Sequence, residues 1–218
     1  MKKLLAYYKD CLGMIDTFHF NSNGTRDEYE RILGHLNGEV VTITHNGIKD
    51  NRTIKTFSEK GLVIGFIGGE ALYKGLPLLN EAAQGLDVQI MVWGAGVKEQ
   101  GNVHFRGSFS SYMLKDVYGE MDVLIVPSIW HETFSLVTME ALSFGTPAIV
   151  SDSVGARDLV CEYMLEMVYH SKEELRTILE ECVKDKTILK EYNKRICEQP
   201  WRHDTLRHAQ EVIDIIYK

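Results

Sequence analysis

From Leu62 onward, apolar runs of strand length alternate with stretches patterned as helices, and this alternation leaves few architectures open. Residues 62–67 read as a buried strand, followed by Gly68-Gly69 and a helix over about 74–84. Residues 88–93 form the next strand, ended by Gly94-Ala-Gly96, and 103–105 a short third one before a helix near 111–118. Residues 122–126 carry Val-Leu-Ile-Val and stop at Pro127; a helix over 136–144 ends at Gly145-Thr-Pro147, a glycine-then-proline stop. A strand at 148–150 and a Gly155 turn into another helix complete the pattern, and beyond Ser171 the chain reads as helical to its end, broken near Pro200. Continuously apolar strands separated by helices imply a parallel sheet covered on both faces. The fold class is therefore α/β, a doubly wound parallel sheet with a helical C-terminus. Ligands of such sheets bind beyond the carboxyl ends of the strands.

The chain has 218 residues, 44% of them hydrophobic, enough to bury a sizeable core. Its 24 basic and 31 acidic side chains leave a net charge of −7, and no basic run offsets it, which argues against nucleic acid as a partner. Cys11, Cys161, Cys182 and Cys197 are far apart, so neither a disulfide scaffold nor a zinc site is expected, and a reducing, cytoplasmic setting is. The apolar stretch at 4–8 ends at Lys9-Asp10, short of the roughly 7–15 residues of an export signal. No segment approaches the ~20 apolar residues of a membrane span, so membrane association is peripheral at most. The first 45 residues hold a helix (2–11), an apolar patch (14–20), a polar helix (25–36) and a strand (39–44), with a turn at His45-Asn46-Gly47. They read as a partial layer leading into the main domain.

Residues 122–152 carry the most chemistry. A helix beginning near Ser135 offers backbone N–H groups and a positive dipole end, which suit a phosphate. Glu140 lies one turn, ~5 Å, beyond Leu136 on the same face, about the distance from a diphosphate to the ribose of one nucleotide. Glu132 precedes the helix, on the loop at the strand's carboxyl end, free to point across the phosphate. Spacing alone carries little, since Glu166/Glu174 and Glu173/Glu181 repeat it in surface helix sequence. The setting of buried strand, loop, helix start and Gly-Thr-Pro stop separates Glu132/Glu140 from those pairs.

Glu132-Thr-Phe-Ser-Leu-Val-Thr-Met-Glu140-Ala resembles the Glu-x7-Glu signature of the group 1, retaining glycosyltransferases, and Gly145-Thr-Pro-Ala-Ile-Val-Ser-Asp152 with Gly155 resembles the segment that follows it. Ile43-Thr-His-Asn46-Gly47-Ile is similar to that family's Pro-Asn-Gly-Val linker, Phe66-Ile-Gly68-Gly69 to Lys74-Gly75 to its phosphate loop, and Asn102-Val-His-Phe-Arg-Gly107 to the strand beside the base. The resemblance implies one Rossmann-like half of a GT-B fold. Residues 1–46 would be a remnant of the N-terminal, acceptor-side domain with its linker, 47–192 the nucleotide-sugar-binding domain and 193–218 a closing helix. It implies transfer of a sugar from a nucleotide-diphosphate sugar to an unidentified acceptor with retention, in polysaccharide, lipid or protein glycosylation. Glu132 and Lys74 would be catalytic, Glu132 on a sugar hydroxyl and Lys74 neutralising the leaving group. Gly68, Gly69, Lys74, Arg106, Phe134, Ser135, Leu136 and Glu140 would bind donor, with Glu140 on the ribose. No metal or other cofactor is expected.

Two departures bear on this reading. Gly69 stands where the family has an arginine on the diphosphate, for which Arg106 or Arg157 could substitute, and Ser135 replaces a glycine. The acceptor-side domain is reduced to about its last strand–helix–strand. Its catalytic histidine has only an imperfect candidate here, His19, which reads better as a packing or surface residue. A non-catalytic nucleotide-sugar-binding module, or a subunit that needs a separate acceptor domain, therefore stays open. A dinucleotide oxidoreductase is disfavoured, because Glu99 occupies the third glycine position after Gly94-Ala-Gly96. Trp130, beside His131-Glu132, is the tryptophan best placed to meet a ligand.

Overall fold

The computed structural model describes residues 2–45 and 47–217. Asn46, at the centre of the predicted turn and linker motif, lies outside them. The chain begins with α1 (Lys2–Leu12), β1 (Phe18–Phe20), α2 (Asn23–Leu33) and β2 (Gly38–Val40). β1 and β2 pair in parallel as a separate small sheet. The main unit follows as β3 (Leu62–Ile67), α3 (Leu76–Ala82), β4 (Val88–Trp93), β5 (Val97–Gln100) and β6 (Val103–Gly107). It continues through α4 (Leu114–Glu120), β7 (Val123–Val126), α5 (Leu136–Ser143), β8 (Ala148–Ser151) and α6 (Arg157–Tyr163). β9 (Val168–Tyr169), α7 (Lys172–Lys184), α8 (Thr187–Glu198) and α9 (Thr205–Ile216) complete it.

Among the described residues the large sheet has the order β5-β6-β4-β3-β7-β8-β9, parallel throughout except for β5. The chain builds outward from β3 on one side through β4 and β6, then returns to the other side of β3 as β7. That reversal opens a crevice at the carboxyl ends of β3 and β7, where such sheets bind ligands. β7 and β8 are buried at every position, which is why their sequences are apolar without alternation up to Ser151, whose buried hydroxyl donates to the Ser128 carbonyl. The outer strand β5 was not anticipated: Val-Lys-Glu-Gln is exposed at all four positions and has no apolar face to betray it. The predicted helix over 74–84 is also cut back, because Gly75 takes φ +80° and separates a 3-10 turn at Leu72–Lys74 from α3.

Buried polar groups fasten the connections. Asp122, 3% exposed, accepts from the Ser58 backbone N–H at 2.7 Å, the Val63 N–H at 3.0 Å and the Ser58 hydroxyl. The Lys186 ammonium stands 3.1 Å from the same carboxylate. Burial alone would raise the Asp122 pKa, but these hydrogen bonds outweigh it and hold the carboxyl below its ordinary value. Asn193, on the inner face of α8, donates to the Gly145 carbonyl at 2.7 Å and the Thr53 carbonyl at 3.0 Å. The sequence division at 192/193 thus falls inside α8, and the helical run breaks at 199–204 before α9.

Asp122→Asn is expected to destabilise the fold by about 3–5 kcal/mol, the range for breaking a buried ion pair, measured by urea unfolding at pH 7. Because the folded-state pKa of Asp122 is depressed, its contribution is present above the unfolded carboxylate value near 4 and fades as pH falls through the folded value. The difference between variant and parent therefore shrinks in acid. Ser135, the residue before α5, has φ +104°. Ser135→Gly relieves that strain and is expected to raise the unfolding free energy by about 1 kcal/mol.

Candidate functional site

Two loops meet at the crevice because one glycine lets them. A Cβ on Gly75 would lie 1.7 Å from the Pro127 carbonyl oxygen, so only glycine allows the loop after β3 to press against the loop after β7. The Ile129 N–H donates to the Tyr73 carbonyl at 3.0 Å and ties the same two loops. The contact brings Lys74 to Glu132: Nζ and Oε1 are 2.6 Å apart, with the Lys74 side chain 34% and the Glu132 side chain 14% exposed. Ser128, buried at the end of β7, donates its hydroxyl to the same Glu132 oxygen.

The backbone holds Glu132 as firmly. Its N–H donates to Ser153 O at 2.9 Å and its carbonyl accepts from Gly155 N at 2.9 Å; a Cβ on Gly155 would fall 2.2 Å from Thr133 O. The N-terminal layer docks on the next residue. Ser22, which caps α2 by accepting from Thr25 N, donates to Thr133 O at 2.8 Å, as does the Thr25 hydroxyl at 2.8 Å.

A cavity of about 300 Å³ lies between β3, β7 and the start of α5, walled by Gly68, Lys74, Ser128, Glu132, Ser135 and Leu136 among others. Ser135 gives α5 no side-chain cap, so the first turn presents backbone N–H groups there beside the Lys74 ammonium. A second cleft, of about 360 Å³, lies between α2 and the loops that carry His131 to Thr133 and Asp152 to Gly155. Glu132 borders both, so its carboxylate stands where a ligand in one would meet a ligand in the other.

The remaining residues expected from the sequence are dispersed. Glu140 is on α5 but not among the walls of the 300 Å³ cavity; its carboxylate is held by Tyr118 and His45. Gly69 is exposed, and a Cβ there would meet nothing within 4 Å. Phe134 is a buried packing residue, 3% exposed, whose carbonyl accepts from Ala156 N at 2.7 Å. Arg106 is exposed on β6, two strands from β3. Arg157 lines the 360 Å³ cleft and donates to the Asp152 carbonyl. His19 places Nε2 2.7 Å from Val41 O and lines neither cavity. Trp130 is 66% exposed and borders neither. The sequence did not single out Ser128 or Tyr118, and it placed His45 only in the linker turn; the partners of all three are recognisable only in space. No cluster of three His, Cys, Asp or Glu side chains suited to a metal ion occurs among the described residues, and no helix of theirs is long and apolar enough to cross a membrane.

The family described as Glycosyl transferases group 1 matches residues 47–199. A GDP-mannose-dependent alpha-mannosyltransferase of Mycolicibacterium smegmatis is 33% identical over 135 residues, which are 58% of this chain and 36% of that protein. A phosphatidyl-myo-inositol mannosyltransferase of Mycobacterium leprae is 30% identical over 93 residues, 36% of this chain and 25% of that one. The matched stretch thus spans about a quarter to a third of the length of these curated relatives. Among solved structures, Anabaena Alr3699/HepE in complex with UDP-glucose aligns over 96% of this chain and 66% of its own, with a TM-score of 0.75 and 17% identity. A glycosyltransferase from Rickettsia africae ESF-5 aligns over 97% and 66%, with a TM-score of 0.73 and 15% identity. These likenesses establish the Rossmann-like architecture of the GT-B fold, and the match over most of the sheet establishes the family: the chain belongs to the group 1 glycosyltransferases.

Proposed function

We propose that this chain takes a sugar from a nucleoside-diphosphate sugar and transfers it, with retention at the anomeric carbon, to the hydroxyl of an acceptor in polysaccharide, lipid or protein glycosylation. The observation that carries the reading is the meeting of Lys74 and Glu132 at the β3/β7 crevice, against the open first turn of α5. The diphosphate would lie at that turn, and Gly68 would allow close backbone approach. As the bond from anomeric carbon to phosphate breaks, negative charge gathers on the departing diphosphate. The Lys74 ammonium and the α5 dipole are already oriented to receive it, which is electrostatic preorganisation. Lys74 spends one of its three N–H donors on Glu132 and keeps two for phosphate oxygens. Glu132, fixed by Ser128 and its backbone, would accept from a sugar hydroxyl and orient the ring; neither it nor Glu140 needs to bond to the sugar. Charge neutralisation is assigned to Lys74 and α5, with no metal invoked.

GDP-mannose is the first donor to test, since the curated relatives named above include a GDP-mannose-dependent enzyme. The rival reading is a nucleotide-sugar-binding module that lacks turnover or needs a separate acceptor domain. Gly69 favours it, because no fixed guanidinium backs the diphosphate at that position.

Donor turnover and calorimetry separate the two. Lys74→Ala is expected to lower the rate of sugar release or transfer by about 10²–10³, the scale of losing a fixed transition-state donor; intact donor after long incubation with the unmodified chain supports the module. Glu140→Ala should weaken nucleotide diphosphate binding by about tenfold, ~1.4 kcal/mol. Glu132→Ala should leave that binding equal or tighter, because it frees Lys74, while abolishing the extra affinity contributed by the sugar. Equal losses in the two variants would refute this division of roles. The open space at Gly69 further predicts that Gly69→Arg folds normally and tightens diphosphate binding severalfold.

A further inference from the structure

The Glu140 carboxylate is gripped from two sides, with 16% of its side chain left exposed. Tyr118, fully buried and stacked on Phe144 with ring centroids 5.5 Å apart, donates its hydroxyl to Oε2 at 2.7 Å. Burial, helped by the neighbouring carboxylate, pushes the Tyr118 phenol well above its ordinary pKa, so it remains a donor. The second grip comes from His45, on the connection between β2 and β3, whose Nε2 stands 3.2 Å from Oε1. The backbone N–H of Gly47 donates to His45 Nδ1 at 3.0 Å. With Nδ1 occupied as an acceptor, the neutral ring carries its proton on Nε2, where it donates to Glu140. Gly47 keeps this arrangement tight: a Cβ there would lie 2.8 Å from His45 Cε1. The corresponding linker motif of the family has proline at the position of His45, and proline has no such donor.

We propose that His45 is a positioning residue of the donor site: its Nε2–H, together with the Tyr118 hydroxyl, locks the Glu140 carboxylate in the orientation that offers its unused lone pairs to the ribose hydroxyls of the bound nucleotide. This rests on Glu140 being the ribose carboxylate. An ionised carboxylate has about four acceptor sites. Two are taken by the grips, which leaves two for a vicinal diol. A long, flexible side chain fixed before binding has less freedom to lose when ligand arrives. The connection from the N-terminal layer thereby becomes part of the nucleotide site, although it would touch no ligand atom itself.

The test is calorimetry on the full chain with GDP and with 2′,3′-dideoxy-GDP, or with the uridine pair if the unmodified chain binds UDP and not GDP. His45→Ala is expected to weaken the ribonucleotide about fivefold and leave the dideoxy nucleotide unchanged. His45→Gln, which restores an N–H near the position of Nε2, should recover most of the loss. In a Glu140→Ala background His45→Ala should have no further effect. Equal loss for both nucleotides, or no loss for either, overturns the proposal, provided that Glu140→Ala itself discriminates ribose from dideoxyribose. If Glu140→Ala fails to discriminate, the assignment of Glu140 to the ribose falls, and the role of His45 falls with it.

Discussion

Everything at the candidate site depends on how closely two loops approach each other. β3 and β7 are adjacent parallel strands, and their following loops would ordinarily diverge toward helices on the two faces of the sheet. Gly75, by lacking a side chain against the Pro127 carbonyl, lets them touch. The result is a lysine from one loop and a glutamate from the other within hydrogen-bonding distance, at the edge of a cavity floored by strand ends. The chain uses a positive-φ glycine to place a charge rather than merely to turn.

The Lys74–Glu132 pair is also a way of storing electrostatic complementarity without a ligand. Both side chains are partly withdrawn from water, so each would cost desolvation energy alone. Facing each other, and with Ser128 donating to the same Glu132 oxygen, they hold each other in orientation. A diphosphate arriving beside α5 would meet a cation whose orientation is already set, and a hydroxylated group beyond it would meet the carboxylate. Glu140 follows the same logic through different neighbours, a buried phenol and an imidazole in place of an ammonium.

Much of this was legible in the sequence, for reasons that can be stated residue by residue. Strands β3, β7 and β8 have no exposed position, so their apolar runs announced them to within a residue or so, and β4 was found the same way despite the exposed Gln89 in its apolar run. The Gly145 stop of α5 is a backbone requirement written in residue type, since that residue takes φ +78°. β5 was invisible because an exposed edge strand needs no apolar pattern. Glu132 and Lys74 were each recognisable through a separate motif, but their contact was not. Ser128 and Tyr118 act across chain separations of 4 and 22 residues with no motif of their own, and His45, although inside the linker motif, gave no sign of reaching Glu140 95 residues away. Arg106 and Arg157, offered as substitutes for the missing guanidinium, stand on β6 and α6. The space beside Gly69 is simply open.

The docking of the N-terminal layer has a mechanical corollary. Ser22 and Thr25 both end on the carbonyl of Thr133, one peptide unit beyond Glu132, and Asn23 adds a bond from its N–H to Asp158 at 2.9 Å. Any rocking of the β1–β2 layer against the large sheet would pull on the Thr133 peptide and on Asp158 together. A displacement of the small layer would thus be transmitted to the peptide beside Glu132, the residue that borders both clefts.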